Sequence, residues 1–250
     1  MIPTAGSIIA PDWPAPPRVH ALTTTRKLPG NSPPPYDAFN LGLRSGEDEA
    51  TVRANRALLG RAFDLPFAPR WLQQVHGDRV IRMTEEIPEG EPQADAAFTA
   101  TPGVVLAIQT ADCLPILLCA DDGREIAAVH AGWRGLSGGV VEACVRRMAT
   151  KPSHLLAWLG PAIGAASYEV GDEVRAAFLA HEGDAAAAFA ATRPGHWRCD
   201  LYALARLRLA ALGATRIFGG GFDTFADARF YSYRRDGAHS GRMGSLIWIA

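Results

Sequence analysis

An α/β fold with a mixed sheet is predicted for this 250-residue chain. Short apolar runs of strand length alternate with amphipathic stretches of helical period. Some neighbouring strands are joined by turns too short for a crossover helix, which demands antiparallel as well as parallel pairing. The length allows one large domain or two small ones. No linker or internal repeat divides the chain, so residues 1–250 read as one domain with a proline-rich N-terminal segment, 1–38.

That segment carries Pro14, Pro16 and Pro17, then Pro33–Pro35, and is expected to lie as extended and loop structure over the body, because proline cannot pair inside a central strand. A helix is predicted over 47–63, with Val52, Leu59 and Phe63 on one face and Pro66 and Pro69 closing it. Residues 70–83 read as strand, Gly-Asp turn, strand. The next strand is 104–110; Pro115 interrupts, and 116–120 resumes extended structure. Asp121-Asp122-Gly123-Arg124 has the composition of a hairpin turn, and 125–131 returns as a strand.

A glycine-rich loop, GWRGLSGG, then leads into a helix over 137–148 that buries Val141, Cys144, Val145 and Met148. Strand 155–159 precedes the turn Gly160-Pro161 and a helix from Asp172, its expected N-cap, to His181. Asp200 caps another helix, whose stripe of Leu201, Leu204, Leu207 and Ala211 ends at Gly213. Residues 217–218 and two late strands, 230–234 and 244–249, complete the chain.

Composition excludes several classes. Lys+Arg 25 against Asp+Glu 26, with no long block of either sign, argues against a nucleic-acid footprint and a polybasic membrane patch. The most apolar stretch, 104–120, is broken by Gln109, Asp112 and Pro115 and is too short to span a bilayer. The N-terminus has no basic region of the kind a signal peptide carries. Four cysteines without disulfide-module spacing read as reduced thiols in a cytoplasm.

Reactive residue types concentrate in QQVHGD (73–78), TADCLP (110–115) and VHAGWRG (129–135), each at a predicted strand end. His76, Cys113 and His130 together offer two imidazoles and a thiolate, a set that suits a catalytic zinc with a fourth position left open. Their spacing, 37 then 17 residues, is not that of a zinc finger or ribbon. Singly, each reads as an ordinary residue; jointly they favour a site. Cys119, Cys144 and Cys199 read as small buried hydrophobes, and His20, His154, His181, His196 and His239 as satisfied surface or core groups.

Gly132, Gly135, Gly138 and Gly139 permit close backbone approach, and Arg134 adds a guanidinium suited to phosphate at the start of a helix. The same segment reads equally well as a tight connection with an exposed arginine. Arg44, in NLGLRSGED, is a weaker candidate of the same kind. Gln74 falls on the face of His76 if the segment is extended. Asp112 points away from Cys113 in a regular strand and shares the site only where the alternation breaks; otherwise it supports a neighbour or forms a turn.

The blocks FNLGLRSGEDEATVRANRALL, WLQQVHGDRV, ADAAFTATPGVVLAIQTADCLPILL, AAVHAGWRGLSGGVVEA, WLGPAIGAASYEVGDEV and FYSYRRDGAHSGRMGSLIWI together resemble the laccase-domain family, also called YfiH or polyphenol oxidase, which contains bacterial purine nucleoside phosphorylases. They run in order from about Phe39 to Ile249. The resemblance implies a four-layer α/β/β/α fold with mixed sheets and a zinc held by His76, Cys113 and His130. It also implies phosphorolysis of adenosine, inosine and methylthioadenosine, deamination of adenosine and, in some relatives, editing of a peptidoglycan precursor. Where the family often has cysteines, this chain carries Ala165, Ala166, Ser167, Phe222 and Phe225; none is an expected ligand. Multicopper oxidation is not expected, because the seven histidines form no His-x-His pair.

Three functions compete. A zinc enzyme on purine nucleosides uses Arg134, Gly135, Gly138 and Arg44 for phosphate and Asp112 and Gln74 near the chemistry. A cysteine hydrolase or amidase uses Cys113 as nucleophile and His130 or His76 as base. A non-catalytic binding protein uses zinc as structure alone.

Overall fold

A computed structural model describes residues 6–87, 89–180 and 183–250. The chain opens with β1 (Ile8–Ile9) and β2 (Val19–Thr24), then α1 (Glu49–Ala62), capped by Asp48, whose carboxylate accepts the Thr51 amide. Then come β3 (Val80–Arg82), β4 (Ala96–Thr99), β5 (Leu106–Thr110), β6 (Leu114–Ala120) and β7 (Ile126–Ala131). Helices α2 (Trp133–Gly138) and α3 (Val140–Arg147) precede β8 (Leu155–Leu159) and β9 (Glu169–Gly171). Next are α4 (Asp172–Leu179), β10 (Phe189–Arg193), β11 (His196–Cys199) and α5 (Leu201–Ala211). Strand β12 (Arg216–Gly219), α6 (Tyr233–Asp236) and β13 (Met243–Ile249) end the chain.

These elements stack in four layers. A six-stranded mixed sheet has the order β12-β8-β6-β7-β4-β3, with parallel pairs at its two edges and antiparallel pairs between. A four-stranded antiparallel sheet, β1-β2-β13-β5, faces it. Leu106, Ile108 and Ile247 of the smaller sheet meet Leu117, Ala128, Leu156 and Trp158 of the larger in one apolar cluster. On the outside, Leu22, Val105 and Leu246 pack against Leu59 of α1, while Leu114, Ile116 and Val129 pack against Val141 of α3 and Leu204 of α5. Strand β6 is buried on both faces, which is why its sequence, LPILLCA, shows no alternation. A third sheet, β10-β11-β9, lies apart.

Several expectations are corrected. Val19–Thr24 pairs on both sides, with β1 and β13, inside the smaller sheet rather than over the body. Residues 70–79 form no strand, only isolated bridges at Arg70 and Gln73, because Asp95 gathers the next amides into a loop. Pro115 lies within β6, opposite His130; it sits one residue before the pairing with β8 begins, where a missing N–H costs no bond in that ladder. The segment 133–138 is a short helix, not a loop, and Gly139 (φ 93°) separates it from α3. Asp172 is the first residue of α4 and not its cap, its carboxylate instead accepting the Trp197 indole N–H at 2.7 Å. His181, where that helix was expected to end, lies outside the described residues. Residues 230–232 are not a strand, and α6 follows them. No helix among the described residues is long and apolar enough to cross a membrane.

Candidate metal centre and its cleft

The three sequence-predicted ligands converge. The ligand atoms of His76, Cys113 and His130 all lie within 4.8 Å of one another, with Cys113 Sγ 3.8 Å from His76 Nε2. Among the described residues this is the one cluster of three such groups. His130 is the next-to-last residue of a buried strand, β7, Cys113 the residue before β6, and His76 lies in the loop before β3. Bond lengths of about 2.3 Å to sulfur and 2.0–2.1 Å to nitrogen put tetrahedral ligands roughly 3.3–3.7 Å apart. The observed separations reach that range with modest side-chain rotation, so the donor set fits one divalent ion with a face left open.

The convergence depends on backbone that no strand pattern reveals. His76 (φ 61°) and Asp112 (φ 86°) are two of three non-glycine residues with left-handed backbone among the described residues. His and Asp tolerate that region better than most types. The turn at Asp112 breaks the alternation, so Asp112 and Cys113 both line one cleft.

Asp95 is the residue that sequence reasoning missed. Its side chain is fully buried, accepts a bond from His130 Nδ1 at 2.8 Å, and takes the amides of Val75 (3.2 Å), His76 (2.9 Å) and Gly77 (2.8 Å). It thereby presents His130 Nε2 to the cluster and holds the His76 loop. Burial pushes the Asp95 carboxyl up, but the hydrogen bond and charge of His130 and the amides outweigh it and hold it below its ordinary value. The only sequence signal was its place in the ADAAF block.

Burial also opposes ionisation of Cys113, yet the positive charge and hydrogen bonds of His130 and His76 bring the thiol down to about 6. His130 rises to about 9: burial works against its charge, and the Cys113 thiolate and Asp95 overcome it. The other three cysteines are buried and pushed up to about 12 by desolvation.

The cluster opens into a cleft of about 580 Å³, a size that suits a small-molecule ligand. Its aromatic walls are Trp133, Tyr168 and Tyr233, and Arg44, Arg134, Arg234 and Arg242 give it a positive lining. Tyr168, Tyr233, Arg234 and Arg242 were not singled out from the sequence, although they lie in the SYEV and FYSYRRDGAHSGR stretches.

The other expected site residues behave unequally. Gln74 lines the cleft, but its amide donates to the Gln109 carbonyl (2.7 Å) and accepts the Gln109 amide (2.8 Å). Asp112 also lines it, with one oxygen on the Thr224 hydroxyl and the other on the Arg234 amide, both at 2.6 Å. Arg134 is exposed and stacks on Trp133 at 4.4 Å. Arg44 is exposed and paired with Glu91 at 2.7 Å. Neither Gly135 nor Gly138 lines the cleft. A Cβ at Gly135 would stand 2.9 Å from the Gly77 carbonyl oxygen, and one at Gly138 would meet nothing. The amides of Leu136 and Gly139 bond inside the short helix, to the carbonyls of Gly132 and of Gly135 and Leu136.

Residues 20–250 match the family described as multi-copper polyphenol oxidoreductase laccase. A Xylella fastidiosa (strain Temecula1) purine nucleoside phosphorylase is 51% identical over 97% of this chain and 96% of its own length. The Escherichia coli (strain K12) purine nucleoside phosphorylase YfiH is 49% identical over 97% and 98%. Among solved structures, Neisseria meningitidis protein NMB0706 superposes with a TM-score of 0.92 at 43% identity, covering 97% of this chain and 99% of that one. Bacillus licheniformis YfiH gives 0.86 at 28% identity, covering 93% of each. With fold, site and relatives in agreement, the chain belongs to the laccase-domain, YfiH-like family.

Proposed function

We propose that this protein is a zinc-dependent purine nucleoside phosphorylase that acts on adenosine, inosine and methylthioadenosine and also deaminates adenosine. One observation carries it: an open His-Cys-His cluster at the wall of a cleft that is both aromatic and cationic. Relatives about half identical along the whole chain bear the phosphorylase name. The donor set suits zinc, and no methionine lines the cleft to serve as the weak axial ligand of a blue-copper site.

His76, Cys113 and His130 would hold the ion, and zinc when bound supplies Lewis acidity and an ionised water at neutral pH. In phosphorolysis a phosphate oxygen bonds to ribose C1′ as the C1′–N9 bond breaks. The electron pair leaves with the purine, which takes up a proton. Trp133, Tyr168 and Tyr233 offer faces for the base and exclude water. The cleft arginines offset the charge of phosphate, where fixed donors act strongly in a dry site. Deamination adds water at the purine carbon that bears the amino group, breaks that C–N bond to release ammonia and leaves a carbonyl, and it needs a carboxylate to move the protons. Asp112 serves only if it releases the Thr224 hydroxyl, so it acts first as the group that positions the 224–234 segment.

Metal analysis of the purified protein, followed by incubation with inosine with and without phosphate, is the test. Stoichiometric zinc and base release only with phosphate are expected. Base release that ignores phosphate overturns the reading.

A second reading rests on the Cys113–His130 pair, whose thiolate and imidazolium charges stabilise each other. Without metal this is the pairing of a cysteine amidase.

A further inference from the structure

The arginines of the cleft differ in what already holds them. Arg44 is paired with Glu91, and Arg234 gives Nη1 to the Glu169 carbonyl at 2.9 Å. Arg242 is half-buried, and no carboxylate pairs with it among the described residues. Its Nη1 donates to the carbonyls of Ser240 (2.6 Å) and Gly241 (3.0 Å), and among the described residues no hydrogen bond reaches Nε or Nη2. Asp112, the acid that lines the cleft, has both oxygens committed elsewhere.

The position of Arg242 is built. A Cβ at Gly42 would fall 2.5 Å from Arg242 Cγ, so a residue without a side chain admits the stem. The Arg242 amide donates to Asn40 Oδ1 at 2.8 Å and its carbonyl accepts the Leu41 amide at 3.1 Å. The guanidinium stands 5.9 Å from the Tyr233 ring centre. The negative charges that reach Arg242, Cys113 and Asp112 among them, act through space and not through a hydrogen bond to its guanidinium, and a guanidinium with a free edge matches two oxygens of one anion.

We infer that the Nε–Nη2 edge of Arg242 anchors an oxyanion subsite in the cleft and takes inorganic phosphate as co-substrate. The identity of the anion rests on the phosphorylase reading; its charge does not. The carrier of the phosphate site is then the C-terminal SGRMG stretch and not the glycine-rich segment around Arg134.

The test compares zinc-loaded wild type with R242Q, R242K and the remote surface variant R124A, at fixed ionic strength. The readouts are the rise of Tm with inorganic phosphate alone, the same with inosine 5′-monophosphate alone, and the KM for phosphate in inosine cleavage. Loss of the phosphate-induced Tm rise in R242Q is expected, with KM for phosphate raised about ten- to a hundredfold. R242K, which keeps the stem against Gly42 but not the fork, should fall between, and R124A should match wild type. Should R242Q fail to fold, R242K carries the comparison. Unchanged phosphate KM and Tm rise in a folded Arg242 variant overturns the inference. So does an Arg242-dependent response to the nucleotide alone, which would give the subsite to a phosphate ester. Stabilisation by phosphate through Arg242 without any base release keeps the subsite and sinks the phosphorylase reading.

Discussion

Asp95 and His130 are joined at 2.8 Å by a bond that is buried at both ends, and the same carboxylate collects the three amides of the His76 loop. One acid therefore orients two of three ligands. Replacing it by asparagine puts an N–H where a carboxylate faced N–H groups. Metal affinity should fall about 10–100-fold, measured by competition with a chromogenic chelator. Cys113→Ser and His130→Ala should lose the metal outright. Full zinc retention in both would remove the assignment.

The thiol chemistry separates the two functional readings. In metal-free protein the Cys113 thiol, brought down to about 6, is mostly thiolate at pH 7, and His130 keeps its charge up to about 9. Alkylation of Cys113 should be fast between those values and slow as pH falls through about 6. Cys119, Cys144 and Cys199, pushed up to about 12, should stay silent. Zinc should protect Cys113 until chelator is added. Rapid labelling of the zinc-loaded protein, blocked by an amide substrate, would favour the hydrolase instead.

The glycines after β7 should respond in opposite ways. A Cβ at Gly132 would stand 2.9 Å from Cys113 Sγ and 3.0 Å from His76 Cδ2, so Gly132→Ala should displace two ligands and weaken metal binding. A Cβ at Gly138 meets nothing. Gly138→Ala should leave activity unchanged and add roughly 0.5–1 kcal/mol of stability, read as a small rise in Tm. Loss of activity in Gly138→Ala would restore that glycine to the binding site.

Such contrasts show what the sequence made legible. The His-Cys-His set was readable because three residues of rare types stood at strand ends, and α5 because Asp200 precedes an apolar stripe; the cap of α1, Asp48, fell inside the predicted helix. The four layers were readable only through resemblance to a family. Sequence periodicity hid the rest for identifiable reasons. Asp95 sits in an apolar run, where its partners, 18 to 35 residues away in sequence, cannot be seen. The left-handed backbone at Asp112 turns its side chain and that of Cys113 into one cleft, which the residue pattern does not announce. The glycines of 132–139 suggested a loop, yet Gly132 and Gly135 serve close packing inside and beside a helix.

Acid should loosen the segment that carries Thr224. Asp223 accepts the amides of Gly164 and Phe225 (3.1 Å each) and the Ser167 hydroxyl (2.6 Å). Burial raises its pKa, but those bonds outweigh it and hold the carboxyl below its ordinary value. A depressed folded pKa gives stability that is complete above the unfolded value, about 3.9, and is lost as pH falls below it. In chelated protein, Asp223→Asn should lower the urea midpoint at pH 7, with the difference from wild type shrinking below about pH 4. A difference that is constant with pH would mean that its charge is immaterial.

Arg134 supplies the last prediction, because its standing changes once the cleft is seen. It is exposed, stacked on Trp133 and free of any carboxylate among the described residues, so water screens any pairing with phosphate. An exposed charge pair is worth about 0.2–1 kcal/mol, which corresponds to at most roughly a fivefold rise in KM for phosphate in Arg134→Ala. Deamination of adenosine, which uses no phosphate, should not change beyond the effect of an unpinned Trp133. The pair of KM values, for phosphate and for nucleoside, reads both. A loss of tenfold or more confined to phosphate would make Arg134 a direct ligand of the anion. Equal losses in both reactions would make it a support for the aromatic wall.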